Sequence, residues 1–357
     1  MNVTAWTVHA GGTPMVLEER EERPGPGEAI VEVAACGVCH TDLGFFYDGV
    51  PTRHGFPLTL GHEVSGTVVE AGEGAEGWIG KQVVVPAVTP CGKCDACRSG
   101  HGRVCPSQFF PGSDGHGGFA SHIRVPAVGL CAVPDLSDEK LNPHGIALPA
   151  LSVLADAVST TYQAIVRSGL AAGDLAVFVG AGGLGGFGVQ VAAAMGAHVA
   201  AIDVSEDRLA LAGRHGAALT LRADQLDFKS IRKAVGGFAK EHGLPGYRQK
   251  IYETSGTDAG QMTAFGLIGH GGYLSVVGFT PKKVEIRLSN LMAFDATAEG
   301  VWGCLPEHYP AIVDLVLAGK VVLDPFIEYR PMNTINDVFE DLHAGKLSRR
   351  VILTPED

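Results

Sequence analysis

The chain has 357 residues, with 39 acidic against 27 basic side chains, a formal charge of -12, 46% hydrophobic and 18% charged residues. That length exceeds what one core usually serves, so two domains are expected, and the acidic balance disfavours a nucleic-acid partner because a phosphate backbone would be repelled. No apolar run is long enough to span a membrane, and MNVTAWTVHAGG lacks the basic and long apolar stretches of a secretory signal. The expected setting is a reducing cytoplasm, where the eight cysteines are metal ligands or buried thiols rather than disulfides.

Up to about residue 157 the chain is rich in Gly, Pro, Val and Cys, with short strands predicted at GEAIVEVAACG, HEVSGTVVEAG, KQVVVPAV and GGFASHIRVP. Short strands punctuated by Gly and Pro predict a β-barrel-like domain. Within it, GVCHTDL carries Cys39, His40, Thr41 and Asp42, and GHE carries His62 and Glu63. Further on, CGKCDACRSGHGRVC places Cys91, Cys94, Cys97 and Cys105 in one compact lobe. Four thiolates so close suit a single closed tetrahedral zinc with no position left for substrate, hence a structural ion. The Cys105–Pro106 step resembles ferredoxin runs, but those close with a three-residue gap and serve iron–sulfur clusters.

Cys39 and His62 with Glu63 are too few to close a second structural site. Asp156, an acid inside the apolar stretch LSVLADAVSTTYQAI, needs a partner to offset its desolvation. Cys39, His62 and Asp156 would make a three-ligand zinc with one open position, the arrangement of a catalytic ion. One thiolate and one carboxylate would balance its charge, and the ion would polarise an alcohol oxygen.

Beyond residue 160 the texture changes. LAVFVG, HVAAID, ALTLRA, KIYETSG and YLSVVGF read as strands, separated by helical segments such as GGLGGFGVQVAAAMGA, EDRLALAGRHGA and FKSIRKAVGGFAKEHG. Repeated strand–helix units predict a doubly wound parallel sheet of α/β class. GAGGLG ends the first strand and opens the first helix, with Gly180, Gly182 and Gly185 in the dinucleotide pattern and Gly183 and Leu184 between them. Asp203, at the end of the next strand, is placed to accept ribose hydroxyls and repel a 2′-phosphate, which predicts NAD over NADP. Arg208, in the following helix, is grouped with these cofactor contacts. HYPAIVDLVLAGK and INDVFEDLHAGK read as amphipathic helices and RRVILT as a closing strand.

CGVCHTDL, LTLGHE, the four-cysteine lobe, GHGGFASHI, GAGGLG with Asp203, and GKLSRRVILT together resemble the zinc-dependent medium-chain alcohol dehydrogenases over essentially the whole chain. The resemblance implies a GroES-like catalytic domain, residues 1–157 and 303–357, split around a Rossmann domain, residues 158–302. It implies an enzyme with NAD and two zinc ions per chain, active on a small-molecule alcohol as a dimer or tetramer. Cys39 and His62 match ligands of the catalytic zinc, and Glu63 matches an acid behind it that is sometimes a ligand. Asp156 stands where many relatives have cysteine, so either Asp156 or Glu63 takes the third place. Thr41 matches the hydroxyl that takes the substrate proton, His40 and Arg350 match contacts to the cofactor phosphates, and Thr160 one to the nicotinamide. Where familiar members end a proton relay with histidine, this chain has Gly44.

Within that family the overall pattern of the chain, around HTDLGFFYDGVPTRHGFPLTLGHE, resembles the 6-hydroxycyclohex-1-ene-1-carbonyl-CoA dehydrogenases of anaerobic aromatic degradation, which implies a cyclic alcohol on a CoA thioester. Arg53, Arg98 and Arg103 are the basic residues considered for its phosphates. The competing readings are a simple alcohol or polyol substrate, a zinc-free double-bond reductase, and a non-enzymatic NAD-binding protein.

Overall fold

The computed structural model describes residues 1–355, which form two compact units. The first comprises Met1–Ser159, Gly303–Gly319 and the chain from Phe326 onward; the second comprises Thr160–Trp302 with Lys320–Pro325.

The first unit opens with β1 (Asn2–Val8) and β2 (Val16–Glu21), an antiparallel pair not anticipated from the sequence. The strands β3 (Glu28–Gly37), β4 (Leu58–Thr59), β5 (Glu63–Ala71), β6 (Gln82–Val85), β7 (His122–Pro126) and β8 (Cys131–Ala132) follow. One small sheet runs β2-β1-β4. Beneath it, Leu58, Leu60, Phe119 and Ile123 are fully buried, and a helix at Ile335–His343 adds Val338 and Phe339 to the same core. The Phe339 ring meets Phe46 and Phe119 edge-on, with centroids 5.3 and 5.8 Å away, a geometry that aligns the positive ring edge with the negative face.

The second unit is a six-stranded sheet of β9 (Leu175–Val179), β10 (His198–Asp203), β11 (Ala217–Arg222), β12 (Gln249–Glu253), β13 (Tyr273–Val276) and β14 (Thr297–Gly300). Its order is β11-β10-β9-β12-β13-β14 and every pairing is parallel. All five residues of β9 are buried. That explains its unbroken apolar run: a parallel strand covered on both faces has no polar side to alternate with. The strand order reverses between β9 and β12, the switch point at which such sheets bind ligands. The helix after β9 is shorter than its apolar pattern, Gly185–Ala194, because Gly182–Leu184 stay in the loop. At Gly185 the loop closes tightly, and a Cβ there would stand 1.8 Å from the Gly180 carbonyl oxygen.

The chain then returns to the first unit with β15 (Ile327–Pro331) and β16 (Arg350–Thr354). The larger sheet of that unit is β15-β16-β3-β5-β6-β8, with β7 paired to β3. Here register is decisive: Gly37 of β3 lies opposite Glu63 of β5 on one side and Ile352 of β16 on the other. The strand β16 is thereby fixed across β3 from the GHE segment.

Replacing Phe119 by alanine should lower the unfolding free energy by ~3–5 kcal/mol, the cost of a large aromatic cavity in a closed core. Urea denaturation checks this; a loss under ~1 kcal/mol would mean the ring is not packed as described.

Candidate metal and dinucleotide sites

GVCHTDL leaves β3 and turns into the short helix His40–Phe46, with Cys39 at its N-cap. Asp42, three residues past the cap, folds back so that its Oδ2 accepts the Cys39 backbone N–H at 3.0 Å. Its Oδ1 accepts the Gly61 N–H at 3.1 Å and meets His62 Nδ1 at 3.2 Å. Because a carboxylate only accepts, the His62 proton sits on Nδ1 and the Nε2 lone pair points the other way. Asp42 is fully buried; the sequence placed it among the polar groups of GVCHTDL without giving it a role, although an acid at the third helical position, reaching back to the cap, is a legible capping pattern.

His62 Nε2 is buried and has no hydrogen-bond partner among the described residues. Asp156 Oδ2 stands 3.6 Å from it and 3.7 Å from Cys39 Sγ. These separations are too long for good hydrogen bonds. They do match ligand atoms sharing one tetrahedral zinc, which lie roughly 3.4–3.8 Å apart when each is about 2.0–2.3 Å from the ion. One ligand atom each from Cys39, His62, Glu63 and Asp156 falls within 4.8 Å of the others. Burial alone would lower the basicity of His62, but Asp42 and Asp156 outweigh it and raise its pKa well above 6.5 without a cation. Such a set of donors fits a divalent ion with soft and hard character.

Glu63 behaves differently from Asp156. Arg350 Nε donates to its Oε2 at 2.7 Å and Arg350 Nη2 donates to its Oε1, a two-pronged pair buried from solvent. Burial pushes the Glu63 carboxyl up to about 7, Arg350 pulls it down, and Asp156 pushes it up again. The room for this pair comes from Gly37, where a Cβ would stand 2.2 Å from Glu63 Oε2. The guanidinium of Arg350, the residue expected at the cofactor phosphates, is buried in the first unit against Glu63, with Nη2 4.0 Å from Asp156 Oδ2. Sequence spacing gave no sign of this, since the two residues meet only through the β16–β3–β5 register.

Asp156 ends the turn Leu148–Ala155 and precedes the helix Ala157–Arg167. The Ala155 carbonyl before it accepts from the Ala87 N–H at 3.1 Å and from the buried Tyr309 hydroxyl at 2.6 Å. Ser159 Oγ, after it, lies 3.1 Å from the same hydroxyl. Tyr309 thus anchors the backbone on both sides of the acid. Thr41 is half-buried, its Oγ1 3.7 Å from Cys39 Sγ. His40 is exposed at the start of its helix. Thr160 is buried in the second unit. The Phe110 ring, not singled out beforehand, tilts over His62 with centroids 4.8 Å apart.

The cysteine lobe is equally compact, with all four sulfurs within 4.8 Å of one another. Cys94 Sγ lies 3.4 Å from Cys97 Sγ and 3.7 Å from Cys105 Sγ. The Lys93 backbone N–H pulls Cys91 down to about 6, while desolvation and the facing thiols push Cys97 up to about 12. The all-sulfur, four-donor set fits closed tetrahedral zinc, which binds cysteine as the thiolate.

In the second unit, Asp203 is buried at the end of β10, and its Oδ2 accepts the Ala181 N–H of the glycine loop at 2.7 Å. Its Oδ1 accepts from Ser205 N–H at 2.8 Å, beginning the next helix. The Arg208 guanidinium stands over the loop, Nη1 being 3.6 Å from where a Gly182 Cβ would lie. Of the three arginines considered for a CoA phosphate, Arg53 is paired with Asp114 at 3.3 Å, whereas Arg98 and Arg103 are exposed.

Comparison with known proteins bears on the family and the fold. The alcohol dehydrogenase GroES-like domain family matches residues 25–135, and the zinc-binding dehydrogenase family matches residues 183–318. An alcohol dehydrogenase of Geobacillus stearothermophilus is 32% identical over 343 residues, covering 94% of this chain and 95% of its own. The L-threonine 3-dehydrogenase of Pyrococcus furiosus is 32% identical over 346 residues, covering 95% and 94%. Among solved structures, the alcohol dehydrogenase of Aeropyrum pernix superposes with a TM-score of 0.84 at 30% identity, over 99% of this chain and 100% of that one.

Asp42→Asn should keep all ligand side chains yet weaken the metal of the Cys39 cluster about 10–100-fold, as loss of a ligand's supporting carboxylate does. Zinc retained against a graded chelator reads this out; wild-type retention would contradict the role given to Asp42. Arg350→Met should cost about 3–5 kcal/mol by stranding a buried Glu63 charge, and adding Glu63→Met should restore most of it. Additive losses in the double variant, measured by denaturation, would show that the pair is not coupled.

Proposed function

Because the chain belongs to the zinc-dependent medium-chain alcohol dehydrogenase family, we propose that it is an NAD-dependent oxidoreductase that oxidises a secondary alcohol or polyol. The observation that carries this reading is the convergence of Cys39, His62 and Asp156 around a buried, unpartnered His62 Nε2. When bound, zinc at these residues supplies the Lewis acidity that lowers the pKa of an alcohol hydroxyl, and the nicotinamide supplies the hydride acceptor.

The chain's own residues do the rest. Asp42 orients His62, and Tyr309 with Ala87 fixes the backbone that carries Asp156. Asp156, rather than Glu63, is the third ligand in this proposal, because Arg350 engages both Glu63 oxygens. Thr41 Oγ1, next to Cys39, receives the hydroxyl proton. Its onward route differs from the histidine relay, since Gly44 presents no side chain and Val50 lies closest to where one would stand, at 3.5 Å. Asp203 and Arg208 beside the glycine loop support dinucleotide binding. We assign His40 and Thr160 to the cofactor as well, and the functional domains to residues 1–157 with 303–357 and to residues 158–302; the two compact units support that division. A homo-oligomer in a reducing cytoplasm completes the reading; the eight cysteines form no disulfide, and no helix among the described residues is long and apolar enough to cross a membrane.

The relatives reported above are named for alcohols and threonine, which supports a small hydroxyl substrate over the cyclic hydroxyacyl-CoA suggested by the sequence. A spectrophotometric screen for NADH formation across simple alcohols, polyols, threonine and cyclic hydroxyacyl-CoA esters separates the two. Turnover of small alcohols with at least about a tenfold preference for NAD over NADP in kcat/KM is expected, since Asp203 would repel a 2′-phosphate. Turnover confined to CoA esters would overturn the substrate class, and a preference for NADP would overturn the role of Asp203.

A further inference from the structure

The second unit holds a cavity that the glycine loop and its neighbours do not use. It comprises about 480 Å³ of atom-free space, the open solvent at its mouth included. Its walls are apolar: Leu274 and Val276 of β13, Phe265 of the helix Asp258–Gly266, and Ile286 and Leu291. The exceptions are Gln261 and Glu253, the latter the last residue of β12 and fully buried.

Glu253 is half satisfied. Its Oε1 accepts three donors: Ser255 N–H at 2.8 Å, Ser255 Oγ–H at 2.5 Å and Gly256 N–H at 3.1 Å. Its Oε2 is buried with no hydrogen-bond partner among the described residues. Gln261, the other polar lining residue, donates its amide to the Gly278 carbonyl at 3.2 Å. A buried carboxylate oxygen without a donor costs free energy, and such an atom in a native fold calls for a ligand or a role. Burial raises the Glu253 pKa, and the Ser255 and Gly256 donors on Oε1, with the neighbouring Gln261 amide, oppose it by favouring the charged form.

From the apolar cavity and the single open acceptor within it, we propose that this pocket binds a small amphiphile with a compact hydrophobic body and one primary ammonium group directed at Glu253 Oε2. The apolar walls take the body by removing it from water. The ammonium supplies both the missing donor and the compensating charge, an interaction stronger than a neutral hydrogen bond. An anion of the same shape is excluded by the buried carboxylate.

Calorimetric titration of the zinc-loaded protein with benzylamine tests this. One saturable site is expected with a Kd between about 10 μM and 1 mM, the range open to a rigid ligand of this size. Benzoate should bind at least about tenfold more weakly. Glu253→Gln should weaken benzylamine at least about tenfold. Val276→Phe, which fills the cavity without touching the carboxylate, should do the same and carries the test if the first variant does not fold. Cys39→Ala should leave the affinity unchanged, which separates this site from amine coordination at a metal. Absence of saturable binding, as when a second copy of the chain covers the pocket, would overturn the proposal. Equal affinity for benzoate, or an unchanged Kd in Val276→Phe, would also overturn it.

Discussion

The metal cluster depends on one buried carboxylate that would not itself touch the metal. Asp42 ties the Cys39 and Gly61 backbone N–H groups and the His62 ring to one side chain. Those groups come from two segments, the cap of a short helix and the loop before β5. Fixing them together turns the His62 lone pair toward Asp156. A buried charge of this kind persists only where donors surround it, so the same bonds that orient the histidine also keep Asp42 in the core.

Around that anchor the fold supplies charge in balanced pairs. As proposed ligands, Cys39 and Asp156 would together bring the two negative charges that a divalent ion cancels. Glu63, close enough to add a third, is neutralised by Arg350, which arrives on the chain's last strand. The Gly37 position between their strands leaves space for the pair. The C-terminal strand is therefore part of the site's electrostatics as well as of the sheet. A similar division holds in the second unit, where Asp203 secures the glycine loop through Ala181 while closing the next helix through Ser205.

Much of this was legible in the sequence because chemistry and periodicity coincide there. LAVFVG and HVAAID are apolar runs of strand length, and they form the buried β9 and β10. The four-cysteine lobe follows from spacing, since its ligands lie within one short segment. Asp156 was readable as an acid that an apolar stretch must compensate. What could not be read depends on tertiary register. Arg350 reaches Glu63 through three strands, Tyr309 reaches the Ala155 carbonyl from a distant helix, and β1 with β2 carries too mixed a pattern to announce its pairing. The Glu253 cavity was invisible for the same reason: its lining comes from five separate segments.

The central claim is that two chemically different zinc environments exist in one chain, one all-sulfur and closed, one with a single thiolate and open. X-ray absorption at the zinc edge, on fully active protein with its metal counted, measures this directly. The account predicts two ions per chain, sharing roughly five sulfur neighbours to three nitrogen or oxygen ones. A single ion with an all-sulfur shell in active protein would contradict it.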